Sequence, residues 1–286
     1  MKVIKATELG FCYGVSNSIK LVLKELEQNT FNKKIYLLGM LVHNEIVCNS
    51  LKQMGVELIN IDELDNILKN KEKGTIITTA HGTCEEIIRK IQRNGFKLVD
   101  STCKIVEKNM KEIDRYLSNG FDIIYIGKKN HPESKAVENK VHLIENGNDV
   151  EKLNINNNRI VVLNQTTMSE NDLSSNTEFI LKKYPYALIN TSICPATLTR
   201  QQKVLEEVSK HHDLKDYWLV FGDKSSNNTN KLLEIIKRYT NNCYLVSSIK
   251  ELELLSLRST YNIYVTSGTS TPIAFINKAI EYLEKQ

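Results

Sequence analysis

None of the usual short cofactor signatures is present in this sequence. Its six cysteines include no C-x2-C, the close pair from which structural zinc sites are usually built. Neither G-x-x-x-x-G-K-[ST] nor G-x-G-x-x-G occurs, which argues against a nucleotide P-loop and against a bound dinucleotide. The longest clean apolar stretch near the start, Ile35 to Val42, is about eight residues, far short of the roughly 20 that cross a bilayer. No membrane association is expected. Charge of one sign is not in excess either. The net charge is only +4, with Lys and Arg scattered among Asp and Glu, so the charges read as solvated faces and no nucleic-acid partner is expected. Met1 runs directly into a strand pattern, which predicts neither a secretion signal nor a transit peptide and a cytoplasmic location. In that reducing compartment six cysteines read as thiols rather than three disulfides. Low-complexity segments are absent; the Asn run at 154–158 reads as a loop tip.

What is there is a repeat. Cys12, Cys103 and Cys194 stand 91 residues apart, twice. Each follows a short apolar run and precedes an amphipathic one: YGVSNSIKLVLKELEQ, KIVEKNMKEIDRYLSNG and PATLTRQQKVLEEVSKHH. Each therefore belongs at a strand-to-helix turn, near a helix N-terminus, where the thiolate that binds metal is favoured. Cys48, Cys84 and Cys243 fall within helix- or strand-like patterns and read as packed thiols.

The 286 residues suffice for one large core or several small ones, and 41% hydrophobic with 25% charged residues is ordinary for a globular chain. Short β-rich runs alternate with helical periods throughout, the mark of parallel βαβ units. The expected fold class is α/β: three pseudo-threefold-related α/β units with parallel sheets, a trefoil around a central cluster. Their boundaries are 12–102, 103–193 and 194–286. The last third ends one strand short, so the N-terminal strand in 1–11 is expected to complete it. Parallel α/β units bind ligands at the carboxyl ends of their strands. That rule selects, beside the three cysteines, His43, Asn44, His81, His131, Glu133, Thr166, Thr167, Ser225, Ser226, Asn227, Asn228 and Ser270.

Three converging thiolates suit a metal. Zinc with three cysteines is one reading and no metal another. The favoured one is an iron–sulfur cluster of four irons, whose usual four cysteines would here be three, leaving one iron open as a Lewis acid while the cluster supplies electrons. The remaining pocket residues are mostly hydrogen-bond donors with few carboxylates. With helix N-termini pointing inward they suit an anion, and a diphosphate fits. Glu133, two residues from His131, could carry a proton; read alone it is a helix-N-terminal acid. His142, His211 and His212 read as structural.

At these residues the chain resembles the 4-hydroxy-3-methylbut-2-enyl diphosphate reductase family. The resemblance rests on GFCYGV, VHNEIV, TAHG, DSTCKIV, HPE, NQTT, SICPATLTRQ, SSNNTN and TSGTSTP, in order over nearly the whole chain. It implies one [4Fe-4S] cluster per chain on Cys12, Cys103 and Cys194. It implies an allylic diphosphate held by His43, His81, His131, Ser226, Asn228 and Ser270, with Thr166 ordering a proton network and Glu133 as proton source. It implies ferredoxin or flavodoxin as electron donor, and products isopentenyl and dimethylallyl diphosphate, the last step of the methylerythritol phosphate route. Asn227 departs from the serine usual there; its carboxamide still donates to phosphate. Quinolinate synthase, also three α/β units on one cluster, would be expected to show more Arg or Tyr near its loops. A non-catalytic iron–sulfur sensor would have no need of hydroxyl- and histidine-lined loops.

Overall fold

The computed structural model describes residues 2–70, 72–213, 215–258 and 261–286; Met1, at the head of the expected N-terminal strand, lies outside them. In chain order, β1 (Lys2–Lys5) leads to α1 (Tyr13–Gln28), then β2 (Ile35–Leu38), α2 (Glu45–Gln53), β3 (Val56–Ile59), α3 (Leu64–Leu68), β4 (Thr75–Ile77), α4 (Glu85–Arg93) and β5 (Lys97–Val99). The middle third has α5 (Lys104–Ser118), β6 (Asp122–Ile126), α6 (Pro132–Lys135), β7 (His142–Ile144), α7 (Gly147–Lys152), β8 (Ile160–Asn164), α8 (Glu170–Lys183) and β9 (Leu188–Ile189). The last has α9 (Pro195–Lys210), β10 (Asp216–Phe221), α10 (Asn227–Lys237), β11 (Cys243–Val246), α11 (Ile249–Glu253), β12 (Asn262–Ser267) and α12 (Ile273–Glu284).

Among the described residues these strands form three four-stranded sheets, every pairing parallel. One strand order is used each time: β3-β2-β4-β5, β7-β6-β8-β9 and β11-β10-β12-β1. In the last sheet the fourth position is held by β1, with Val3 paired to Ile263 and Ile4 to Tyr264. Parallel strands need crossover helices, so both sheet faces are covered and the central strands read as continuous apolar runs. In β10, Tyr217, Leu219 and Phe221 enter one core while Trp218 and Val220 enter another. In β6, Ile124 and Ile126 face one core, Ile123 and Tyr125 the other.

By packing, the chain forms two compact units. The first comprises residues 1–16, 42–50 and 195–286 and holds the sheet of β1, β10, β11 and β12. The second comprises 17–41 and 51–194 and holds the other two sheets. Sheet and packing boundaries thus differ. The segment 42–50, the end of the β2–α2 connection and the first part of α2, packs with the first unit, where Ile46 joins the core of Phe221 and Phe275.

The polar stretch after Met168 is helical: Ser169 and Asp172 form a capping box that starts α8 at Glu170. One local reading is corrected. Cys84 is not inside a helix. It is the N-cap of α4 and half-buried, because the helix begins at Glu85, whose carboxylate with that of Glu86 favours the positive helix end. Cys48 and Cys243 are buried.

The loops leaving β10 and β12 press on one side chain. A Cβ at Gly222 would lie 2.7 Å from Thr229 Oγ1, and one at Gly268 would fall deep inside that same atom's contact distance. Gly268→Ala is expected to lower stability by about 1–3 kcal/mol, and Thr229→Ala added to it to recover part of the loss. Urea unfolding of the single and double variants checks this.

Candidate active site

One backbone arrangement occurs at each of the three cysteines. Cys12, Cys103 and Cys194 directly precede α1, α5 and α9. The Cys12 N–H donates to Thr269 O at 3.0 Å, that of Cys103 to Ala80 O at 3.0 Å, and that of Cys194 to Thr166 O at 2.9 Å. In every case the acceptor lies in the loop that follows the third strand of that sheet, namely β12, β4 and β8. The Cys12 and Cys103 carbonyls accept the first helical bonds, from Ser16 and Glu107. All three thiols are half-buried, with sulfur at a positive helix end. The Val15 N–H donates to Cys12 Sγ at 3.5 Å. This donor set fits a soft metal or an iron–sulfur group. Cys84 differs in following a third strand rather than a fourth.

The second compact unit holds His81, His131, Glu133, Thr166 and Thr167. The His81 and His131 rings meet edge to face, centroids 5.3 Å apart. His131 is the N-cap of α6, and its Nδ1 accepts the Glu133 N–H at 3.2 Å. That bond puts the neutral ring's proton on Nε2. Glu133 is 3% exposed, so it is not the solvated helix-end acid that its position alone suggests. Its Oε1 accepts the Thr166 N–H at 2.9 Å and its Oε2 the Thr166 hydroxyl at 3.0 Å. Burial raises the Glu133 pKa to about 7, and these hydrogen bonds oppose part of that rise. The Thr167 hydroxyl accepts from Gln165 Nε2 at 2.7 Å.

The first compact unit holds His43, Asn44, Ser225, Ser226, Asn227, Asn228 and Ser270. Burial lowers the pKa of His43, so the ring is neutral at pH 7, although Asp223 draws it up. The Ser270 hydroxyl donates to His43 O at 3.1 Å, which ties the β12 loop to the segment before α2. Asn44 Oδ1 accepts the Val47 N–H at 3.2 Å, capping α2. Ser226 Oγ accepts the Thr229 N–H, capping α10, and Asn227 is that helix's first residue. Asp223 Oδ2 accepts the Glu45 N–H at 2.9 Å and Oδ1 binds Ser225. Burial works against its charge, but these bonds prevail and its pKa is lowered. Asn228 is 2% exposed, its Nδ2 is 3.4 Å from Thr269 Oγ1, and its Oδ1 has no partner.

Residues 3–284 match the LytB protein family. This chain belongs to that family. LytB relatives named 4-hydroxy-3-methylbut-2-enyl diphosphate reductase include those of Anoxybacillus flavithermus and Bacillus thuringiensis, each 36% identical. Both alignments cover 100% of this chain, with 91% and 90% of the relative. A solved structure of the E-1-hydroxy-2-methyl-but-2-enyl-4-diphosphate reductase from Plasmodium falciparum is similar at 28% identity and TM-score 0.85, over 98% of this chain and 87% of that one. A second structure, of (E)-4-hydroxy-3-methyl-but-2-enyl diphosphate reductase, shares the fold at TM-score 0.68 and 24% identity, covering 100% of both chains.

Two residues of this LytB chain escaped the sequence reading. Tyr125, fully buried on β6, donates to Glu133 Oε1 at 3.3 Å, and Asn109 Nδ2 reaches the Tyr125 hydroxyl at 3.4 Å. Burial next to that carboxylate raises the tyrosine's pKa well above normal, so the hydroxyl stays a donor. Tyr125 sits in an apolar strand run where an aromatic reads as core, and Asn109 is one polar residue on a long helix. Neither carries a signal in one dimension. His142 near Asp122, His211 stacked on Tyr264 and His212 bonded to Val208 O are structural, as their patterns suggest.

The Glu133 shift has a consequence for stability. Unfolded, the carboxyl loses its proton near pH 4.5; folded, near 7. Between those values the native state holds more protons than the unfolded one, so stability falls as pH rises, by about 3 kcal/mol at most. Glu133→Gln removes that loss. Its stability relative to the original chain is expected to be more favourable at pH 8 than at pH 5, as measured by urea unfolding.

Proposed function

We propose that the chain reduces (E)-4-hydroxy-3-methylbut-2-enyl diphosphate to isopentenyl and dimethylallyl diphosphate, the last step of the methylerythritol phosphate route. Two electrons and two protons enter; the allylic C–O bond breaks, a C–H bond forms and the hydroxyl leaves as water. The observation that carries this reading is the anchored cysteine turn, made three times in a chain similar over its full length to proteins bearing that name.

Cys12, Cys103 and Cys194 are the ligands proposed for one [4Fe-4S] cluster per chain. When bound, that group would supply single electrons and a Lewis-acidic iron beside the substrate hydroxyl. Their fit is chemical: thiols at helix N-termini, without the close C-x2-C pairs of a zinc site. A cytoplasmic location, a reducing compartment in which the cysteines stay as thiols, is part of the proposal. No helix among the described residues is long and apolar enough to cross a membrane. A ferredoxin or flavodoxin is the proposed electron donor.

His43, His81, His131, Ser226, Asn227, Asn228 and Ser270 are the proposed diphosphate ligands. Neutral His43 and the Nε2–H of His131 donate to phosphate oxygens without burying extra charge. Glu133 is the proposed acid. Near pH 7 about half of its molecules hold the proton, the balance that general acid catalysis needs. With Glu133 protonated the bond to Thr166 reverses: Oε2–H donates to Thr166 Oγ1, and the threonine's own hydrogen, released from Oε2, is passed on toward the leaving oxygen. Tyr125 and the Thr166 N–H hold Oε1, so Oε2 is left for the transfer.

Anaerobic purification is expected to give about four irons and four sulfides per chain, and turnover of the allylic diphosphate with a reduced viologen. Serine at any one of the three cysteines is expected to lose the cluster. Glu133→Gln is expected to keep it and to bind substrate while turnover drops roughly 100- to 10,000-fold; near-normal turnover would remove Glu133 from the mechanism. Alanine at His43, His81 or His131 is expected to weaken diphosphate binding, read by calorimetry.

A further inference from the structure

Arg200 is a buried cation with no carboxylate among its hydrogen-bond acceptors. It is 6% exposed, on the helix that follows Cys194. One guanidinium nitrogen donates to Ser267 O at 2.8 Å and lies 3.4 Å from Ser267 Oγ; the other donates to Gly10 O at 2.6 Å. Backbone oxygens orient the fork but do not neutralise it, and a buried charge left without a counter-charge is strongly disfavoured. Arg200 remains a cation in any protein setting. Burial lowers its pKa, and the two groups whose charge opposes this are Cys12, the larger, and Glu8. Glu8 is exposed to water, which screens it.

The surroundings all converge on one turn. Gly10, two residues before Cys12, is held at φ +92° and its N–H donates to Ser267 Oγ at 3.0 Å. Ser267 ends β12, two residues before Thr269, the acceptor of the Cys12 N–H. Arg200 thus ties α9, the β12 loop and the turn that presents Cys12 sulfur.

We propose that Arg200 is a positioning residue that supplies the counter-charge to the anion carried at Cys12, and so favours the reduced form of the bound cluster. The proposal rests on the reading that Cys12 is one of three thiolate ligands. Each electron added to a thiolate-held cluster deepens its negative charge, and a fixed cation in a low-dielectric wall stabilises the more negative state. The same anion explains why a guanidinium is tolerated there at all.

The test is an EPR-monitored redox titration of anaerobically purified holoenzyme, comparing Arg200→Met with Arg200→Lys. Met keeps bulk and loses charge; Lys keeps charge and loses the fork. The Met variant is expected to shift the reduction equilibrium toward the oxidised form by about tenfold, or about 59 mV for one electron, while the Lys variant stays near the original potential. Loss of the cluster from the Met variant alone also supports the counter-charge. An unchanged potential in the Met variant, an equal shift in both, or loss of the cluster from both would overturn it and leave the cluster reading standing. An original protein without iron or sulfide would instead overturn that reading, and this inference with it.

Discussion

Each cysteine thiol is held at the start of a long helix by one main-chain hydrogen bond, from its own N–H to a carbonyl in the loop after the third strand. That bond connects the end of the fourth strand to a neighbouring loop of the same sheet, so the placement of sulfur follows from sheet register rather than from contacts of the side chain. A parallel sheet makes this arrangement available because its loops all emerge at the same edge. The motif-bearing loops TTAHGT, NQTTMS and TSGTSTP are the ones that receive these bonds. They therefore have two tasks, to carry polar side chains and to fix the cysteine turn.

The polar groups of the site are poised by burial more than by charge pairing. Glu133 is desolvated and keeps only hydroxyl and amide donors, which leaves its pKa near 7 instead of forcing it to either extreme. His43 is pushed toward neutrality by the same cause. Arg200 cannot escape by losing its proton, so its burial demands an anion nearby. Three ionisable groups, one physical cause, and three different outcomes follow from their intrinsic pKa values.

Several residues of the proposed site also cap helices. His131, Asn44 and Ser226 are N-caps, bonded to Glu133, Val47 and Thr229 amides respectively. A cap residue sits by necessity where backbone N–H groups point outward, and that is also where an anion is best received. The proposed site positions and the helix-start positions coincide for this reason.

Much of the architecture was legible in one dimension. The period-91 cysteines, the apolar strand runs and the helical periods between them sufficed for three parallel α/β sheets, because a strand covered on both faces must be apolar at every residue. What stayed hidden depended on atoms brought together from distant positions. Tyr125 reads as core until Glu133 is found against its hydroxyl, 33 residues of chain separate Glu133 from Thr166, and Arg200 reads as a surface charge until Gly10 and Ser267 are seen to enclose it. The polar opening of α8 has no apolar period to mark it, because cap bonds of Ser169 and Asp172 start the helix. The sequence by itself determined which elements form and which residue types reach the strand ends. Only the tertiary structure decided how far each ionisable group is stripped of water, since desolvation is a property of the packed surroundings and not of any stretch of chain.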